Sequence, residues 1–93
     1  MGAVDDGRHA TELAEHRLAK GWGPARIEHD LDAAGIEEAL IRATLASLDE
    51  QAILSAGRVA IGNRTGAEAW QRLGARGFDE AVAERLVGLP DES

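Results

Sequence analysis

The sequence contains no cysteine among its 93 residues. That excludes disulfides and thiolate metal ligands, and it fits a reducing compartment. Long apolar runs are also missing: nothing approaches the roughly 18 residues needed to cross a bilayer. The stretch from Met1 to Arg8 is polar and acidic and lacks the basic and apolar segments of a secretion signal. A cytoplasmic location without membrane contact is therefore expected. Cations are scarce, with 10 Lys and Arg against 17 Asp and Glu, so the formal net charge is −7. Nucleic-acid binders draw much of their affinity from cations that neutralise phosphates. Whole-protein steering here would repel DNA, and direct DNA binding is disfavoured.

Catalytic patterns are missing as well. His9, His16 and His29 are the only histidines, and no two form a His-x-x-x-His pair. Glu12 and His16 share a helical face at a spacing of four, but two ligands do not make a zinc site. Ser47 and Ser55 have no base nearby and no nucleophile-elbow glycines. The 11 glycines punctuate helices, and none builds a phosphate-cradling loop. No enzyme activity, metal or cofactor is expected, and a chain this short leaves little room for a large ligand cavity.

What is present is helical periodicity. Hydrophobic residues make up 44% of the chain, enough for a folded core, and they recur at helical rather than alternating spacing. The first helix is expected from Asp5 or Asp6, as cap, to Lys20, with Ala10, Leu13, Ala14 and Leu18 as its apolar contacts. Gly21-Trp22-Gly23-Pro24 breaks it, and Pro24 suits the first turn of a second helix. That helix carries Ile27, Leu31 and Ala34 and stops at Gly35, a favourable residue just past a helix end. A third is expected from about Glu37 to Leu48, its early acids suiting the helix dipole.

Asp49 is placed to cap a fourth helix, roughly Glu50 to Ile61, with Ile53, Leu54, Val59 and Ile61 apolar. Gly57 inside it costs about 1 kcal/mol relative to alanine. Thr65 is the expected cap of a fifth helix, Ala67 to Arg76, which buries Trp70 and Leu73. Asp79 caps a sixth holding Val82, Leu86 and Leu89, and the last residues read as a frayed tail.

These six helices fall into two similar sets of three. Leu31-x-x-x-Gly35-Ile36-Glu37-Glu38-Ala39 aligns with Leu73-x-x-x-Gly77-Phe78-Asp79-Glu80-Ala81 at a constant offset of 42. Upstream, Leu18 and Gly21 match Val59 and Gly62 at an offset of 41, so the second loop is one residue longer. An all-helical period near 40 implies tandem three-helix units. Each is too small to bury its own face, so the two should pack side by side. The expected architecture is all-α, elongated or curved, with repeats at 5–48 and 49–89.

The run from Arg17-Leu18-Ala19-Lys20-Gly21-Trp22 through Arg26-Ile27, followed by Leu31 and Gly35-Ile36, is similar to the middle repeat of the RecX family of recombination regulators. Trp70-x-x-Leu73-x-x-Arg76-Gly77-Phe78 resembles that family's last repeat, where an Arg-Gly-Phe tripeptide is typical. The resemblance covers roughly Asp5 to Leu89. It implies tandem three-helix repeats and a partner: RecX proteins bind the RecA recombinase and its nucleoprotein filament, and they restrain strand exchange and ATP hydrolysis. Family members usually carry three repeats and more Arg and Lys. Here two repeats are visible, and Glu28, Asp30, Asp32, Glu37, Glu38 and Glu84 stand in the neighbourhood of exposed positions that are often basic in the family.

Candidate partner-contact residues are Arg17, Lys20, Trp22, Arg26 and Arg76. Arg17, Lys20 and Arg76 fall on motif positions, and Trp22 sits in a glycine-bounded loop where an aromatic is a natural hot spot. The competing reading for the cations is ion pairing with neighbours, such as Glu12 with Arg17, for little energy. Two other functions stay open: a helical interaction module with a different partner, and a small helix-turn-helix-like DNA-binding regulator. Leu31, Gly35 and Ile41 approach the register of the latter, but the would-be recognition helix opens with Glu37-Glu38 and offers only Arg42.

Overall fold

The computed structural model describes residues 6–88, in which six helices follow one another without a strand. They are α1 (Asp6–Ala19), α2 (Pro24–Ala33), α3 (Glu38–Ala46), α4 (Glu50–Ile61), α5 (Gly66–Ala75) and α6 (Glu80–Leu86). The chain is all-α and elongated, 58 × 20 × 20 Å. Every expected helix forms, with ends displaced by a residue or two, as fraying ends commonly are. The expected cap at Asp5, the apolar role of Leu89 and the tail from Leu89 to Ser93 lie outside the described residues.

Three of the connections share one local device. Gly21, Gly35 and Gly77 have φ of +86°, +82° and +95°, a region that costs any residue with a Cβ. Behind each glycine the next residue donates its N–H back five positions: Trp22 to Arg17 O at 3.0 Å, Ile36 to Leu31 O at 3.1 Å, Phe78 to Leu73 O at 2.9 Å. This is the Schellman closure, which satisfies helix-end carbonyls and folds an apolar residue back over the last turn. Ile36 and Phe78 are accordingly buried against Leu31 and Leu73, both fully buried. The Leu-x-x-x-Gly-Ile/Phe repeat is thus the chemistry of a helix stop.

Helices α1, α2 and α3 pack on one another, as do α4, α5 and α6, and α1 lies against α4 between the two triplets. The small residues Ala10 and Ala14 bring α1 close to its neighbours, and Ala56 and Ala60 do the same for α4. One core cluster runs from Ala10 through Ile27, Leu31 and Leu73 to Ala83. A core shared across both triplets makes each dependent on the other for burial.

Some expectations needed revision. Val59, expected as a core contact of α4, is 58% exposed, at the edge of a shallow depression that Leu18 and Ala19 of α1 also line. Asp49 and Thr65 occupy N-cap positions with extended backbone, but neither side chain accepts a cap hydrogen bond. Asp79 does, from the Val82 N–H at 3.0 Å. Gly57 leaves α4 intact and buried for a tertiary reason: a Cβ there would collide with the Leu86 side chain of α6. Trp70 is half-buried, packed against the core.

Candidate functional site

The two triplets meet along a seam built from backbone. The α1–α2 loop donates from Gly23 N–H to Arg76 O at 2.8 Å, and the first turn of α2 donates from Ala25 N–H to Gly77 O at 3.0 Å. Two groups that helix geometry leaves without intrahelical partners are thereby satisfied across the seam. The approach demands glycine on both sides. A Cβ on Gly23 would lie 2.5 Å from Gly77 O, and one on Gly77 would lie 2.7 Å from Arg26 N.

This backbone contact places Trp22 and Arg76 together, although they are 54 residues apart. The Arg76 guanidinium lies 4.0 Å from the Trp22 ring centroid, and that of Arg26, one turn into α2, lies 4.6 Å from it. Both are within cation–π range, worth about 0.5–2 kcal/mol each according to desolvation. Behind them, Asp30 takes a 2.6 Å hydrogen bond from Arg17 Nε, and Arg26 Nε lies 3.2 Å from the same carboxylate. Burial works to raise the Asp30 pKa, but the hydrogen bonds and charges of Arg17 and Arg26 outweigh it and hold the carboxyl below its ordinary value. The Arg76 pKa is drawn down by burial first, then by Arg72 and Arg64. It stays charged all the same. Among the described residues no carboxylate lies within ion-pair distance of Arg76.

Four of the five candidate contact residues, Arg17, Trp22, Arg26 and Arg76, therefore form one cluster. Lys20 is not part of it; it is exposed on the turn after α1. The expected pairing of Glu12 with Arg17 is replaced by Glu12 with Arg8 at 3.3 Å and Arg17 with Asp30, because the Trp22 loop folds α2 back beside α1. Asp30, Gly23 and Gly77 are the members that sequence reasoning missed. The four-residue spacing of Arg26 and Asp30 was a usable signal for one of these contacts. Nothing in the sequence pointed to Arg17 as the second partner.

Other chemistry is thin. His9, His16 and His29 are exposed, and no group of three His, Asp or Glu among the described residues is placed to hold a metal ion. On α3, the lone cation Arg42 pairs with Glu38 at 2.9 Å in an exposed i,i+4 ion pair, so the would-be recognition helix presents no net positive charge. No described helix is long and apolar enough to cross a membrane.

Fold and site together define an all-α protein of two packed helix triplets whose assembled feature is a cluster of three guanidinium groups around Trp22 and Asp30. Residues 5–45, just under half of the chain, match the family model for RecX, second three-helix domain, and the matched stretch spans α1, α2 and most of α3. RecX is a regulatory, non-enzymatic family that acts on RecA. Neither a curated protein nor a solved structure matches the chain.

Proposed function

We propose that this protein binds the RecA recombinase or its filament on single-stranded DNA and restrains ATP hydrolysis and strand exchange. It would thereby serve as a cytoplasmic regulator of recombination and DNA repair. The observation that carries this reading is the match of residues 5–45 to the second three-helix domain of RecX. The units of the function are the repeats 5–48 and 49–89, the second resembling the family's last repeat through Trp70, Leu73 and Arg76-Gly77-Phe78. The contact surface is the seam cluster of Arg17, Trp22, Arg26 and Arg76, together with Lys20, which is exposed on the turn two residues before Trp22. In a chain of net charge −7, such a local concentration of guanidinium groups is suited to carboxylates on a protein partner. The acidic remainder disfavours bare DNA.

The test adds the purified protein to RecA on single-stranded DNA and follows ATP hydrolysis. A concentration-dependent fall in rate is expected, weakened by Lys20→Glu, which changes an exposed cation and disturbs no described contact. Hydrolysis unchanged at high molar excess would overturn the proposal.

A further inference from the structure

Helix α2 separates charge by face. Arg26 and Asp30 turn toward the seam, whereas Glu28 and Asp32 lie about 200° around the helix from them, at 100° per residue. There they border an open cleft of about 740 Å³ between α2 and α3, also flanked by Glu38. A second depression of about 340 Å³ continues it past the seam to α6 and shares Ala25, Glu28 and Leu45 with the first. Apolar side chains run along the joined groove, Ala25, Ile41 and Leu45 in the first part and Ile53, Phe78 and Val82 in the second, which is the more apolar of the two. Its rim carries four carboxylates, Glu28, Asp32 and Glu38 with Asp79 at the far end, against one arginine, Arg42, and His29. Glu38 is engaged by Arg42, and Asp79 caps α6. Glu28 and Asp32 have no ion-pair partner among the described residues.

We propose that this groove is a second docking surface, separate from the cationic seam, and that its occupant is a cationic amphipathic helix of a partner protein. Charge complementarity selects the cation: the rim carries carboxylates one helical turn apart on α2, and they do not converge to hold a metal ion. The apolar floor selects amphipathicity, because residues spaced at i, i+3, i+4 and i+7 on an incoming helix would bury there while Lys or Arg at its flanks met the rim. The walls select the helix. No described strand offers an edge to which an extended peptide could pair, and a helical segment brings its backbone hydrogen bonds already satisfied. A second copy of this chain is a poor occupant, since two bodies of charge −7 repel.

The experiment titrates the full chain into a labelled, Lys-flanked Leu/Ala amphipathic peptide of about 18 residues, roughly five turns, and reads fluorescence anisotropy. Saturable one-to-one binding is expected, with none to the same peptide carrying Glu for Lys. The double variant Glu28→Lys/Asp32→Lys should weaken binding at least about tenfold. The charge-matched pair Glu12→Lys/Glu84→Lys, away from the groove, should change it less than about threefold. Ala25→Gln, which fills the exposed floor between the two depressions, should also weaken binding about tenfold while leaving the helical circular dichroism unchanged. Absence of saturable binding, or equal weakening by the two charge-reversal pairs, would overturn the proposal. None of these readouts depends on the recombinase assay.

Discussion

Gly35 and Gly77 occupy equivalent positions in the two triplets, and a single pair of alanine substitutions separates helix-stop strain from seam packing. Both glycines have left-handed φ, +82° and +95°, so alanine incurs the same local strain at each, roughly 1–2 kcal/mol. Restriction of the unfolded chain by alanine offsets about 0.4–1 kcal/mol of that. Gly35→Ala should therefore destabilise by about 1 kcal/mol, because a Cβ there meets nothing within 4 Å. At Gly77 the new Cβ would lie 2.7 Å from Arg26 N and 3.2 Å from Arg26 Cβ. The turn must then withdraw from α2, which breaks the Gly23–Arg76 and Ala25–Gly77 hydrogen bonds at about 0.5–1.5 kcal/mol each. Gly77→Ala should cost about 2–4 kcal/mol in total. Urea unfolding followed by circular dichroism measures both variants, and the melting temperatures should differ by at least about 5 °C in a domain this size. Equal losses, or a greater loss at Gly35, would refute the claim that the seam constrains Gly77.

Three further outcomes follow from the same geometry. Asp30→Asn should destabilise by about 1–3 kcal/mol, since Arg17 and Arg26 lose a partly buried charged acceptor. The folded Asp30 pKa is depressed, so its contribution is full above the ordinary carboxylate pKa and is lost as pH falls through the lower folded value. The gap between wild type and variant, measured by denaturation across pH 2–7, should close at the acid end. Arg76→Ala should cost about 0.5–2 kcal/mol through the Trp22 stack, with a change in tryptophan fluorescence. Gly57→Ala should not stabilise α4, although alanine is favoured in helices by about 1 kcal/mol, because Leu86 must turn away from the added Cβ; a full gain in the unfolding free energy would contradict that packing.

Local order was legible because its signals are local. Pro24 at the start of α2, Gly35 and Gly77 behind their helices, and Asp79 before α6 each act through backbone atoms within five residues. The period near 40 was legible because the same helix stop recurs. The candidate site was legible in part. Trp22, Arg17, Arg26 and Arg76 stood out by position, yet their assembly depends on a contact between residues 23 and 76 that no local spacing announces. Asp30 read as one acid among many until the loop folded α2 beside α1. Val59 read as core because an apolar residue at helical spacing does not reveal whether a neighbouring helix covers it.

The sequence by itself determined six helices, their stops and most of their apolar faces, because hydrogen bonding and φ preferences act over a few residues. Only the tertiary structure decided which cations share a carboxylate and which stack on Trp22. It also decided which glycines are held by contact and which only by φ. Those outcomes depend on how two triplets approach one another, and that distance is set by the small side chains of α1 and α4 and by the missing Cβ atoms of Gly23 and Gly77.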